Sequence, residues 1–250
     1  MATESERDVF ASEVLEPVGK NRKRLFCEKL TGFLAMKGEK YEQNGRKLMI
    51  VGRSVNGWID SRFPCELERA GAAKEFAEIV HKGVQGKDGC PMLWVTKLWK
   101  QQEDTYNTKR SAFWRAIRGV VRDLRIADVE KDDWPSHLVW SNLYKVAPAD
   151  GGNPNGALCD IQRPGCVKLL EMELAEYKPE RLLFFTGLNW LGRFREKMNH
   201  QVERTDDKYV HATGLWQIAE GMTTKVVVAA HPQGKNEREL VEEVVKGFGG

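Results

Sequence analysis

Four short apolar runs constrain this chain more than any other feature: KLMIVG (47–52), LVWSNLYKV (138–146), RLLFFTG (181–187) and KVVVAAH (225–231). Their apolar residues are nearly continuous instead of alternating, the pattern of strands covered on both faces. Helical periodicities lie between them. CVKLLEMELAEY repeats apolar residues at Val167, Leu170, Leu174 and Tyr177 and stops before Pro179. Further helices are expected over 22–38, 66–82 and 235–247. Strands alternating with helices predict a three-layer α/β/α fold with a central parallel four-stranded sheet, the four runs adjacent to one another. Gly52, Asn142 and His231 then fall on one edge, where open α/β sheets place their chemistry. GLWQIA (214–219) fits a short extra strand, and PMLWVTKLW (91–99) reads equally as a strand or a buried loop.

The 250 residues suffice for a real core, and with 41% hydrophobic and 30% charged residues the composition is that of a soluble protein. No internal repeat or linker divides the chain. A single domain over 1–250 is expected, with 1–44 as an N-terminal helical extension, 84–110 as a loop or insertion, and 149–165 as a second long loop. The acidic start, MATESERDVF, has no apolar core and is not expected to be a signal peptide, and no run is long enough for a transmembrane helix. Cys27, Cys65, Cys90, Cys159 and Cys166 are odd in number and lack a CxxC pair. Reduced thiols in a cytoplasmic setting are therefore expected, with no metal site.

SAFWRAIRGVVRDLRIAD carries two stripes. Trp114, Ile117, Val121 and Leu124 form an apolar one; Arg115, Arg118, Arg122 and Arg125 repeat the same spacing one residue later. The guanidiniums thus line up about 100° round the helix from the apolar face. Such a row either tracks phosphates or is a solvated face with carboxylate partners from elsewhere. The basic cluster KNRKRLFCEK (20–29) divides the same way, and the net charge of +3 favours neither.

The strand ends carry an ordered pattern: VGRSVNGW, WSNLYKVAPADGGNP, CVKLLEMELAEYKPERLLFFTG and VVVAAHPQG. In that order they resemble the uracil-DNA glycosylase superfamily, over roughly residues 45–58 and 138–245, with 141–187 most similar to the bacterial and archaeal branches. The resemblance implies a monomeric enzyme of damaged DNA, double- or single-stranded. It would flip a base, uracil or another deaminated one, and hydrolyse its N-glycosidic bond with no metal or redox cofactor. His231 matches the His-Pro histidine that donates to the departing base, and Asn142 the asparagine that reads the base edge. Trp58 or Phe63 would stack on the base, and Lys235 and Arg238 contact phosphate at a helix start, unless they are solvent charges.

The first motif departs from the family pattern. Gly52 is followed by Arg53, Ser54 and Val55, so the water falls to Asn56 or, less aptly, Ser54, with Asp60 the nearest carboxylate. Gln233 replaces the serine after His-Pro. A monofunctional enzyme is expected, with no obvious lysine for Schiff-base lyase chemistry; Lys145, on the same strand end as Asn142, is the one left open for it. Two rival functions stand beside glycosylase activity: a catalytically silent nucleic-acid or base-binding protein, and a hydrolase of free nucleotides or nucleosides acting through Ser54 or Asp60.

Overall fold

The computed structural model describes residues 3–25, 28–43, 45–57, 60–85, 90–101, 106–198, 202–219 and 221–250. The elements run α1 (Glu4–Val9), a π-helical turn (Phe10–Leu15), α2 (Glu16–Lys20), β1 (Leu30–Gly32), β2 (Met36–Lys37), β3 (Leu48–Ser54) and β4 (Ser61–Arg62). Then come α3 (Ala72–Gln85), α4 (Trp94–Lys100), α5 (Ala112–Asp123), β5 (Leu138–Tyr144), β6 (Val146–Pro148) and α6 (Gly156–Tyr177). The last are β7 (Arg181–Phe184), α7 (Leu188–Met198), β8 (Val202–Arg204), β9 (Val210–Ala219), β10 (Met222–Ala229) and α8 (Glu237–Gly247). They divide between two units, each assembled from three stretches: Met1–Met36, Gly52–Gln85 and Ser141–Glu176 in one, and Lys37–Val51, Gly86–Trp140 and Tyr177–Gly250 in the other.

The larger sheet has seven strands in the order β2-β5-β3-β7-β10-β9-β8. The four apolar runs are its contiguous middle, β5-β3-β7-β10. Parallel registers join Leu48 to Arg181 and Arg181 to Lys225. Every residue of β5 is buried, as a continuous apolar strand requires. The expected four-stranded all-parallel sheet is nevertheless corrected, because β9 and β8 extend it antiparallel to make a mixed sheet. Their segment alternates instead of running apolar: Trp216 is 1% exposed and Leu215 62%, which is how a strand with one wetter face reads.

The first unit holds an antiparallel sheet of order β4-β1-β6 with α1, α2, α3 and α6. The helix expected over 22–38 is absent; that stretch forms a 3₁₀ turn, Arg22–Arg24, followed by β1 and β2. The helix lies upstream instead, opened by a capping box in which the Thr3 side chain accepts from Glu6 N and the Glu6 carboxylate accepts from Thr3 N. Phe10, Val14, Leu15 and Val18 are fully buried along it. Pro17 has no amide to return to Glu13, and the turn before it widens so that Glu16 N donates to Ala11 O. Gly165 of α6 sits directly on the Glu13 carbonyl, where no Cβ would fit.

Two loop expectations also change. PMLWVTKLW forms a 3₁₀ turn and α4, neither strand nor loop. The loop expected over 149–165 ends at Asn155, and α6 continues through Pro164. Gln162 of that helix substitutes for a strand partner: its Oε1 accepts from Lys145 N (3.1 Å) and Val146 N (2.9 Å), and its Nε2 donates to Val146 O (2.8 Å). Lys145 therefore stands between the end of β5 and the start of β6, with its amide held by Gln162.

Candidate functional site

Within the first unit, the loop after β3 is clipped to the loop after β6. Asn56 Oδ1 accepts from Gly152 N at 2.9 Å, and Ser54 Oγ donates to Asn153 Oδ1 at 3.3 Å. Gly151, at φ +100°, adopts the left-handed backbone that favours glycine, and a Cβ there would stand 2.8 Å from Asn56 Oδ1 and push that side chain aside. GRSVNG and ADGGNP, distant in sequence, thus form one surface. Gly52 is buried within β3, while Ser54 is half-buried and Asn56 exposed. Arg53, half-buried between Gly52 and Ser54, has its pKa pushed down by burial.

The other first-unit candidates divide. Trp58 lies outside the described residues. Phe63 is half-buried, with the Lys29 ammonium 5.6 Å from its ring centre. Asp60 pairs with Arg62 at 2.9 Å and is not a free carboxylate. Asn142, 1% exposed on β5, has an Nδ2 with no hydrogen-bond partner among the described residues. A buried donor left unsatisfied costs about 1–3 kcal/mol, so this amide is one acceptor short.

Lys145 is not presented to solvent. It is 0% exposed, its Nζ 2.6 Å from Glu173 Oε1 and 2.7 Å from Ser141 Oγ, while Ser141 Oγ donates to Glu173 Oε2 at 2.6 Å. An ammonium saturated this way has no lone pair with which to attack a carbonyl. Spacing could not reveal the partner carboxylate, 28 positions downstream on another element.

In the second unit, His231 stands two residues beyond β10, half-buried. Its ring stacks on Phe113, with centroids 6.0 Å apart and planes inclined by 19°. Phe113 in turn meets Phe185 at 6.0 Å and Trp114 at 5.4 Å. Gln233 N donates to His231 Nδ1 at 3.3 Å, which assigns the neutral ring's proton to Nε2. The His-Pro-Gln turn therefore orients the imidazole as a donor through its far nitrogen. Pattern reading missed His211 on β9, whose ring atoms lie 3.7 and 3.8 Å from where a Cβ at Gly187 would stand, at the end of β7. Burial, then Lys235, pushes its pKa down, so its neutral form is favoured.

The arginine row has carboxylate partners. Arg115 forms a two-point pair with Glu237, its Nε 2.8 Å from Oε2. Arg118 Nη2 meets Glu130 Oε1 at 2.7 Å, with its guanidinium 5.5 Å from the Trp99 ring centre. Arg122 Nε meets Asp123 Oδ1 at 2.6 Å. Arg125 is not on the helix: it follows the end of α5 with φ +55°. Glu130 and Glu237 lie outside the helical segment, which is why its acid-free spacing gave no sign of them. Beyond β10, Lys235 is exposed before α8, and Arg238 pairs with Glu242 at 2.8 Å one turn along that helix. Among the described residues no helix is long and apolar enough to cross a membrane.

The architecture is mixed α/β, with parallel strands at the centre of the larger sheet. No family model matches the chain, and no curated protein matches it significantly.

Proposed function

We propose that the protein binds damaged DNA and hydrolyses the N-glycosidic bond of a flipped base, uracil or another deaminated base, as the resemblance to uracil-DNA glycosylases implies. The observation that carries this reading is the Gln233 N to His231 Nδ1 hydrogen bond. With Nδ1 accepting, the neutral ring carries its proton on Nε2, and an Nε2–H donated to the oxygen of the departing base would stabilise the anion without protonating it. Asn142 adds support, since its unpaired Nδ2 is suited to the acceptor on a base edge. The base leaves C1′ with the bonding pair, and water then adds to the resulting sugar cation, its proton passing to the departed base anion or to solvent. Oligonucleotides carrying uracil, hypoxanthine, xanthine or a thymine mismatch provide the assay. His231→Ala is expected to lower single-turnover excision by about 10²–10³ while duplex binding persists. A folded His231→Ala protein that excises at the wild-type rate would refute the assignment.

One observation favours the binding-only reading. Asn56 Oδ1, the acceptor that would hold the attacking water, is engaged by Gly152 N, and Asp60 by Arg62. Wild-type protein that binds these oligonucleotides but excises no base would identify a catalytically silent nucleic-acid-binding protein.

A further inference from the structure

The buried charges around Lys145 do not balance. Ser141 and Lys145 are four apart along the chain, and both reach Glu173 of α6. That carboxylate has an O–H on one oxygen and an N⁺–H on the other, so the pair is complete. A second carboxyl enters from α1: Glu6 is 2% exposed, one oxygen accepts from Thr3 N, and the other, Oε1, has no partner among the described residues. Glu173 and Lys145 both act on Glu6 through their charges, so one ammonium is set against two buried carboxyls. If both ionise, the site carries an uncompensated negative charge where water does not reach it.

We propose that the Glu4–Lys20 segment is a pH-sensitive latch that seats on the Lys145–Glu173 pair with the Glu6 carboxyl protonated and loosens when that carboxyl ionises. Burial first, and the charge of Glu173 second, push the Glu6 pKa up to about 7, against weaker opposition from the Thr3 amide, Lys145 and the chain's amino terminus. The remaining charges on the segment are tied elsewhere: Arg7 to Glu4, Asp8 and Glu78 of α3, Glu13 to Lys168 of α6, and Lys20 to Glu16. A carboxyl with a raised pKa in the seated state favours seating below its free value and loses that advantage as pH rises. The window here runs from 4.5, the model-compound value, to about 7. Opening of the segment should therefore increase by about 10–100-fold between pH 5 and pH 8. The inference concerns the first unit alone and is independent of any activity on DNA.

Amide hydrogen exchange of the full chain, corrected for the intrinsic pH dependence, reads this opening over residues 7–20. Wild-type protection in the segment should fall by about 10–100-fold from pH 5 to pH 8, and Glu6→Gln, isosteric and uncharged, should stay flat. A wild-type profile flat with pH, or an equal fall in Glu6→Gln, overturns the proposal. Carbon-13 NMR titration of the Glu6 carboxyl needs no variant: a midpoint near 7 supports the latch, and one near 4.5 refutes it.

Discussion

Replacing Lys145 by methionine keeps most of the buried stem and removes only the charge. Glu173, 1% exposed, then keeps the Ser141 hydroxyl and loses the ammonium at 2.6 Å. Breaking a buried pair from one side typically costs about 3–5 kcal/mol, because the remaining charge is stranded in a medium that solvates it poorly. Against a total stability of about 5–15 kcal/mol, that is a large fraction. In urea, at a slope of about 3 kcal/mol per M, the midpoint should fall by roughly 1–1.7 M. The diagnostic comparison is the triple variant Ser141→Ala/Lys145→Met/Glu173→Leu. It removes every polar member of the trio at once, so no desolvated member of the trio is left behind, and it should recover most of the loss. A single variant costing under about 1 kcal/mol, or a triple variant weaker than the single, would refute the argument that stranding dominates.

Other outcomes follow from close contacts and ion pairs. Gly38→Ala places a methyl group against the Ser136 backbone, which cannot rotate away, and should cost about 1–3 kcal/mol, or roughly 2–12 °C in Tm by calorimetry. If the arginine row contacts duplex DNA, each of Arg115, Arg118 and Arg122 changed to alanine should flatten the log–log salt dependence of binding by about 0.9, and unchanged slopes would make the row a solvated, carboxylate-paired face. Glu237→Gln releases the Arg115 guanidinium from its two-point pair and, on the phosphate-tracking reading, should raise DNA affinity at low salt in a titration by fluorescence anisotropy.

What pattern reading recovers here depends on whether a signal is local. The continuous runs of β3, β5, β7 and β10 are local, and they are neighbours in the sheet. The capping box at Thr3 and Glu6 is equally local, yet the helix expectation falls downstream, on a stretch after Lys20 whose Phe26, Leu30, Phe33 and Leu34 recur at helical spacing. β9 is less legible because Gly214 and Trp216 face one way and Leu215 the other, so no continuous run forms. Partners are not local at all. Nothing in SNLYK points to Glu173 or Glu6, nothing in the arginine spacing points to Glu237, and only folding brings Asn56 to Gly152.

The assembly of each unit from three separated stretches also bears on how the protein is made. β3 lies between β5 and β7 in the sheet, so a ribosome adding about 5–20 residues per second completes the LMIV run roughly 4–17 s before the first of these neighbours, β5, begins at Leu138. During that interval the nascent strand is an apolar edge with unmade hydrogen bonds, the kind of surface that chaperones cover and that otherwise pairs with a neighbouring chain. No contiguous fragment contains a whole unit without part of the other, so truncated forms should enter inclusion bodies more readily than the intact chain.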